Sequence, residues 1–433
     1  MPEPVNELRV GIWCAYGETL SPSAGIGVFV HNLARGMAAL DDQMNVILAV
    51  HAGDESLVAE TVAAGQGRIT TAAVGRLSLV NHWRQRWHRS CYRRISNQTV
   101  AGEESAQQVA RYIWHEERIK RIFASQPLTL PPSGSDPDVW LLPHVDVSRP
   151  FCEPTVTIVH DMVPFHFPGI MKQKKLAAFR RHCQRLIETS TLIGTMSRTI
   201  RDNDIVGLLG CPVEKVRVVP GAVPTDFGVP LAADKLLERF PVLRQPYLLY
   251  PAGYRSYKNH AVLVEALSRL RQAASPDLEL VLTGFEGMPS LLGQQIAAAG
   301  VTGRVHVLGV VDRPTLAGLY QQAAATVVPS LYEQGSYPVV EAIHWGCPAA
   351  CSGIAALREY LEPLGGTVPF FDATDPVDVS RTVASVLVDR EQFVVRQQVQ
   401  LQQMASRTWQ VVAADWRDVL LEAIEQGRQG RAS

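Results

Sequence analysis

Two glutamates, Glu333 and Glu341, stand eight positions apart in the stretch YEQGSYPVVEA, residues 332–342. The strand-like run ATVVPS precedes this stretch, and Pro338 suits the first turn of a helix because its missing N–H costs nothing there. The amides of residues 335–337 would then gather at a helix N-terminus, which is a favourable place for a phosphate. Carboxylates bind the adjacent hydroxyls of a sugar. The stretch therefore predicts a site for a phosphate flanked by sugars. The simpler alternative is a capped helix with two solvated acids.

Two cations, Arg255 and Lys258, lie in the stretch PAGYRSYKNHAVLVEAL, between a predicted strand and a predicted helix. An arginine fork and a lysine point charge at this position can together hold a diphosphate. Two solvated loop cations are the alternative. The presence of the glutamate stretch in the same half of the chain favours the binding interpretation.

Two further groups of residues stand in the first half of the chain. His160 and Asp161 end the apolar run TVTIVHD, where His160 could meet a ligand across a cleft, although a buried hydrogen-bonded pair is the plainer interpretation. Gly25 and Gly27 open a helix in AGIGVF. Val30 stands where the third glycine of a dinucleotide fingerprint would be, so the fingerprint is weak, but the loop suits the approach of a phosphate or hydroxyl.

The elements that must position these residues alternate between strand and helix, which predicts parallel sheets wound with helices. The predicted strands are 8–16, 44–50, 139–144, 155–161, 191–197 and 216–223 in the first half, and 247–253, 278–284, 304–311, 325–330, 348–353 and 367–372 in the second. A connector rich in proline, about residues 224–245, separates the halves. Ligands of such sheets bind beyond the carboxyl ends of the strands. The predicted fold class is therefore α/β, with two Rossmann-like doubly wound domains facing a cleft.

The composition agrees with two globular domains. The chain has 433 residues, of which 46% are hydrophobic and 19% charged, and its net charge of −1 gives no overall field that would attract nucleic acid. The 7 cysteines are scattered and suit a reducing compartment. The first residues do not have the pattern of a signal peptide, and no run approaches the roughly 18 apolar residues of a membrane span. We expect a cytoplasmic protein whose membrane contact, if any, is peripheral.

Taken in order, these motifs resemble the GT-B glycosyltransferases, and within them the large retaining family 4, the group 1 glycosyl transferases. The most specific part, ATVVPSLYEQGSYPVVEAIHWGCPAACSG (325–353), resembles the family block Pro-Ser-x-x-Glu-Gly-Phe-Gly-Leu-Pro-x-x-Glu-Ala. The stretches AGYRSYKNHAVLVEAL, VHVLGVVDRPTLAGLYQQA and VHDMVPFHFP support it. The resemblance implies an acceptor-side domain at 1–224, a nucleotide-sugar donor domain at 225–407, and a final segment, 408–433, whose helix crosses back to the first domain.

The resemblance also implies a role for each motif. The catalytic residues implied by it are His160, Arg255, Lys258 and Glu333, with His160 near the transferred sugar, the two cations on the diphosphate and Glu333 on the sugar hydroxyls. The donor-binding residues implied by it are Gly25, Gly27, Asp161, Gly253, Val310, Gly335, Ser336, Tyr337 and Glu341, with Glu341 on the ribose. Gly335 and Ser336 stand where the family has an aromatic residue and a glycine. This departure predicts a different sugar preference.

The expected activity is that of a retaining hexosyltransferase. Its best donor is GDP-mannose, and its acceptor is a glycan, a glycolipid or another lipid-linked molecule in surface polysaccharide or glycoconjugate biosynthesis. No cofactor and no metal is expected, since the triplet DPD (136–138) is typical of a turn. The alternatives are a UDP-hexose-dependent glucosyl- or galactosyltransferase, a sugar-nucleotide epimerase of the same architecture, and a non-catalytic interaction subunit.

The segment 83–94 gives the one sequence hint about the acceptor. It carries tryptophans at helical spacing among arginines and has no acidic residue. Such a helix can lie on an anionic membrane or bind an acidic acceptor. It can equally pack its tryptophans on the sheet.

Overall fold

The computed structural model describes residues 7–14, 25–40, 44–51, 54–74, 136–145, 151, 154–223, 228–273 and 275–432. The basic segment 83–94, with its predicted membrane or acceptor contact, lies outside these residues.

The first domain is built on a seven-stranded parallel sheet in the order β3-β2-β1-β4-β5-β6-β7. Its strands are β1 (Leu8–Trp13), β2 (Met44–His51), β3 (Ile69–Val74), β4 (Val139–Leu142), β5 (Thr155–Ile158), β6 (Leu192–Thr195) and β7 (Val216–Val218). Strand β3 was not predicted, because this edge strand, ITTAAV, has few large apolar residues and two of its threonines are exposed.

The helices of the first domain are α1 (Gly25–Leu40), α2 (Ala59–Ala64), α3 (Val163–His166), α4 (Gln173–Thr189) and α5 (Arg198–Ile200). Helix α1 begins at Gly25, as predicted, and turns Phe29, Leu33 and Met37 into the core. Helix α5 continues directly into a π-helical segment, Arg201–Leu208. That wider turn includes Asp204, which is buried although its side chain is polar.

The second domain repeats the plan with a six-stranded parallel sheet, in the order β10-β9-β8-β11-β12-β13. Its strands are β8 (Tyr247–Pro251), β9 (Glu279–Thr283), β10 (Val305–Val307), β11 (Ala325–Val328), β12 (Ala349–Ser352) and β13 (Phe370–Phe371). Its helices are α6 (Ala233–Arg239), α7 (His260–Ala273), α8 (Ser290–Ala298), α9 (Arg313–Gln322), α10 (Tyr337–His344), α11 (Ala355–Tyr360), α12 (Pro376–Val388) and α13 (Arg390–Met404). The predicted α/β class with two doubly wound domains is confirmed.

The strand order explains where a ligand can bind. The chain winds in opposite directions from β8 and β11, so the loops that follow these two neighbouring strands diverge and leave a crevice between them. Lys258 follows β8 and Glu333 follows β11. The crevice therefore receives residues that are far apart in sequence.

The last helix, α14 (Trp409–Ala432), returns to the first domain, as predicted. Trp409 and Trp416 are buried there and meet the ring of Phe29 edge-on, with centroids 5.8 and 6.2 Å away. The close packing depends on Gly194 in β6, because a Cβ at that position would lie 2.3 Å from the indole of Trp416.

Candidate active site

A cavity of ≈ 800 Å³ lies between the two domains. The predicted residues that line it are Gly25, His160, Asp161, Lys258, Glu333, Gly335, Ser336 and Tyr337. Ser197, Gln334, Glu359, Tyr360 and Arg407 also line it, although the sequence had not singled them out. The cavity is thus the place where most of the predicted residues meet.

Lys258 and Glu333 form an ion pair at the wall of this cavity through Nζ and Oε1. Their side chains are only 21% and 15% exposed, so the pair is largely screened from solvent. The sequence predicted that both residues face one ligand, and it did not predict their direct contact.

The loops that carry this ion pair are tied together by hydrogen bonds. Tyr250 Oη donates to the carbonyl oxygen of Lys258 at 3.1 Å and lies 3.0 Å from Ser330 Oγ. Asn259 follows Lys258 in the left-handed region, with φ 55°, and its amide donates to the carbonyl oxygens of Pro329 at 3.3 Å and Ala373 at 2.7 Å. The turn before α7 is therefore fixed on the loops that follow β11 and β13.

The loop before α10 lies on the cavity wall. The helix begins at Tyr337 with Pro338 in its first turn, as predicted. Gly335 lies against the ring of Tyr360, and a Cβ at that position would lie 3.0 Å from Cδ2. Tyr360 was missed, although the glycine at 335, where the resembled family has an aromatic residue, is a signal that another ring could fill the space.

Glu341 lies further along α10 and is not among the residues that line this cavity. Tyr320 Oη donates to its Oε2 at 3.0 Å, and Arg313 Nη2 lies 3.8 Å from Oε1. Burial raises the pKa of Glu341, against the opposing effects of Tyr320 and Arg313. Its carboxylate is thus mostly buried and is held by two residues of α9.

Four other predicted residues lie outside the cavity lining. Arg255 is exposed and donates to the carbonyl oxygen of Tyr254 at 3.1 Å. Val310 is 67% exposed, and its backbone N–H donates to Glu286 Oε1 at 3.0 Å. Gly27 is buried within α1, and Gly253 stands after β8, where a Cβ would lie 3.6 Å from the carbonyl oxygen of Gly284.

His160 reaches the cavity from the first domain. Its Nε2–H donates to the carbonyl oxygen of Pro143 at 3.0 Å, its ring meets Phe29 edge-on at 5.3 Å, and it also hydrogen-bonds with the side chain of Gln334. Burial lowers the pKa of His160 to about 4. The imidazole is therefore neutral near pH 7 and acts as a hydrogen-bonding group rather than as a cation.

The segment before the helix joins the two domains. Tyr332 Oη donates to Asp204 Oδ2 and accepts from the backbone N–H of Met162 at 2.8 Å. Gln334 Nε2 donates to Thr195 Oγ1 at 3.3 Å. The side chains on either side of Glu333 thus bind the first domain, whereas Glu333 itself stays with Lys258.

Glu359 makes a second bridge between the domains, at the start of α5. It accepts hydrogen bonds from the backbone N–H of Arg198 at 2.6 Å, from the N–H and hydroxyl of Thr199, both at 2.8 Å, and from Ser197 Oγ at 2.9 Å. Partial burial alone would raise the pKa of Glu359, but these hydrogen bonds hold it below its usual range.

The described residues contain no group of three or more His, Cys, Asp and Glu that could hold a metal ion. In the triplet 136–138, Asp138 Oδ2 accepts a hydrogen bond from the N–H of Arg9 at 2.8 Å. No helix within the described ranges is long and apolar enough to cross a membrane.

The cavity combines a lysine, a carboxylate, the amides of a helix start and a neutral imidazole. The lysine and the amides suit an anionic group, while the carboxylate and the imidazole suit hydroxyls. A ligand with a phosphate and a sugar matches this distribution.

Comparison with known proteins agrees with the two-domain fold and with the resemblance to the group 1 glycosyl transferases. Residues 237–403 match the family model of the glycosyl transferases group 1. The chain is 26% identical to the O-antigen chain mannosyltransferase B of Escherichia coli, over 54% of this chain and 61% of that one. It is 29% identical to the MMP alpha-(1->4)-mannosyltransferase of Mycolicibacterium hassiacum, over 52% of this chain and 54% of that one. The chain thus spans between half and two thirds of these curated relatives.

Several solved structures cover nearly the whole chain. The Anabaena protein HepE, in complex with UDP and glucose, superposes with a TM-score of 0.61 over 96% of this chain and 100% of that one, at 13% identity. This likeness concerns the fold alone. Residues 237–403 thus match the group 1 glycosyl transferases, and the two domains together form the GT-B fold.

Proposed function

We propose that the chain is a retaining hexosyltransferase that takes its sugar from a nucleotide diphosphate donor, with GDP-mannose as the best candidate. The observation that carries the proposal is the Lys258–Glu333 pair at the wall of the cavity, with the start of α10 beside it. The names of the two curated mannosyltransferases support mannose as the transferred sugar. Retention of configuration rests on the family.

The reaction breaks the bond between the anomeric carbon and the diphosphate, so negative charge grows on the leaving group. Lys258 is placed to stabilise this charge, because an ammonium group has three N–H donors and can keep one for Glu333 while offering the others to the phosphate. The amides of residues 335–337 add a helix N-terminus. Interactions that strengthen as the bond breaks accelerate the chemical step.

The other groups hold the sugar. Glu333 accepts hydrogen bonds from the sugar hydroxyls, and the neutral imidazole of His160 approaches the ring from the first domain. The acceptor, a glycan or lipid-linked molecule, enters beside Gly25 and Asp161 on the first-domain side of the cavity. Within the donor domain, Glu341 holds the ribose beyond the lining of this cavity.

A UDP-hexose is the second candidate donor, because HepE, which has the same fold, is described with UDP and glucose. A thermal-shift screen of GDP-, UDP- and dTDP-sugars tests both, since a ligand at about 100 times its Kd adds about 2.7 kcal/mol to the free energy of unfolding. A shift with a GDP-sugar alone supports the first candidate. No shift with any nucleotide sugar contradicts the proposal.

An epimerase is separated from a transferase by its need for an acceptor. A transferase consumes its donor in step with transfer to an acceptor, whereas an epimerase converts the sugar of the donor without one. Donor conversion is therefore followed with and without a membrane or glycan extract as acceptor. Conversion that is independent of the extract and yields an epimeric nucleotide sugar would favour the epimerase.

The proposal assigns the leaving-group charge to Lys258 and to a helix start rather than to a metal ion. Transfer should therefore persist in EDTA. Complete loss of transfer in EDTA, with recovery on adding Mg²⁺ or Mn²⁺, would contradict this assignment. It would instead favour a metal site at the aspartates of 136–138.

A further inference from the structure

Two buried hydroxyl groups on the cavity wall have no hydrogen-bond partner among the described residues. They are Ser336 Oγ and Tyr360 Oη. Ser336 is 2% exposed, and both residues line the cavity between the domains. A buried hydroxyl without a partner carries an unfavourable desolvation cost, so native proteins rarely keep one without a reason.

The position of these two groups indicates what they are for. Ser336 directly precedes α10, and Tyr360 ends α11 with its ring packed on the backbone of Gly335. Gly335 makes this packing possible, because a side chain there would meet the ring at 3.0 Å. Ser336 lies three residues beyond Glu333 in the same loop, and Tyr360 packs on that loop at Gly335, so both residues belong to one patch of the cavity wall.

The chemistry of the patch suits a neutral, hydroxylated ligand. A serine hydroxyl and a phenol each both donate and accept, which matches the hydroxyls of a sugar ring. The diphosphate would instead be bound by Lys258 and by the backbone amides of residues 335–337. The two hydroxyls thus suit the sugar of the ligand, while Lys258 suits its diphosphate.

We propose that Ser336 and Tyr360 determine the specificity for the transferred sugar, by hydrogen-bonding ring hydroxyls of the donor. This inference rests on the proposed function, because it assumes that a nucleotide sugar occupies the cavity. It adds Tyr360 to the site and gives Ser336 a side-chain role in place of a purely backbone one. A site built to hydrogen-bond a sugar hydroxyl also rejects an analogue that lacks it, because the groups of the site then stay unpaired.

The test compares sugar binding with nucleotide binding by titration calorimetry. The variants are Ser336→Ala and Tyr360→Phe, and the ligands are GDP-mannose and GDP, with UDP-glucose and UDP in parallel. Each variant should bind the nucleoside diphosphate as the wild type does. Each should bind the nucleotide sugar about 5-fold more weakly or worse, which corresponds to the loss of one net hydrogen bond.

Stability supplies the matched control. Ser352 and Tyr247 are buried as well, but their hydroxyls already donate to carbonyl oxygens, at 2.6 and 2.8 Å. Ser352→Ala and Tyr247→Phe should therefore lower the melting temperature of the ligand-free protein. Ser336→Ala and Tyr360→Phe should leave it unchanged or raise it, because they remove a group that has no partner.

Each contrary outcome has a distinct meaning. If the wild type binds a nucleotide sugar and both variants bind it equally well, the hydroxyls are satisfied by water and the inference is wrong. If the two variants lower the melting temperature as the controls do, the hydroxyls have a structural partner and the inference is again wrong. If the wild type binds no nucleotide sugar at all, the proposed function is wrong, and this inference is wrong as well.

Discussion

At the scale of single residues, the cavity is organised by groups whose partners set their protonation or direction. Burial keeps the imidazole of His160 neutral, and its Nε2–H donates to the carbonyl oxygen of Pro143. The contact with Glu333 aims the ammonium group of Lys258 at the cavity. The hydroxyl of Tyr320 orients the carboxylate of Glu341. Each functional group is thus held by a neighbour before a ligand arrives.

Glu341→Gln tests the role of the second glutamate. Ribose hydroxyls change little during the reaction, so loss of their contact with Glu341 should weaken donor binding in the ground state and in the transition state alike. We expect the KM for the donor to rise about 10-fold or more, with a smaller effect on kcat. Tyr320→Phe is the matched control and should change KM in the same direction through loss of orientation. A variant that loses kcat at saturating donor with an unchanged KM would place Glu341 in the chemistry instead.

The sequence could predict residues that follow strands, because strand ends converge in a doubly wound sheet. Lys258, Glu333 and His160 were found in this way. It could not predict Tyr332 or Glu359, since each meets a partner in the other domain and no local pattern records such a contact. The sequence could single out Glu341 as a candidate site residue, but it could not predict that Glu341 lies outside the lining of this cavity.

At the scale of elements, the strands were easier to predict than their ends. Val159 stays apolar and buried after β5 has ended at Ile158, so the hydrophobic run outlasts the hydrogen-bonded strand. The turn between β8 and α7 shows what sequence patterns miss. It is shaped by the left-handed backbone of Asn259 and by the two carbonyl oxygens that its amide reaches.

Two substitutions at Asn259 separate these contributions. Asn259→Gly keeps the left-handed backbone and loses the side-chain hydrogen bonds, which should cost about 1–2 kcal/mol of stability. Asn259→Ala loses both and should cost about 1 kcal/mol more. Turnover should fall in the same order, because the turn positions Lys258. Urea unfolding and donor turnover measure the two effects, and an alanine variant as stable and active as the glycine variant would refute this role of the backbone.

At the scale of the whole molecule, the two domains are joined on both sides of the cavity. Tyr332 binds Asp204 and the N–H of Met162, while Glu359 accepts hydrogen bonds from residues at the start of α5. Asp204 is 1% exposed and also pairs with His166 Nε2 at 2.6 Å. The loop that carries Glu333 therefore makes direct polar contacts with the first domain, so the position of Glu333 depends on how the domains meet.

Tyr332→Phe should loosen this junction. It removes one donor from the buried carboxylate of Asp204 and leaves the N–H of Met162 without its partner, which should cost about 1–3 kcal/mol. Differential scanning calorimetry should show a lower melting temperature, with the two domains unfolding less cooperatively. Tyr254→Phe is the matched control, because the ring of Tyr254 packs on His260 and Phe285 within the second domain. Equal melting temperatures for the two variants would show that the junction does not depend on this hydroxyl.

The central claim is that Lys258 faces the leaving diphosphate, and the most direct measurement is the turnover of Lys258→Ala at saturating donor. Loss of a preorganised charge that acts in the transition state should lower kcat by about 100-fold or more. Arg255→Ala provides the comparison and should have a smaller effect, because the Arg255 side chain is exposed and lies outside the cavity lining. A Lys258→Ala variant that is folded and raises only the KM, with the kcat of the wild type, would contradict the account.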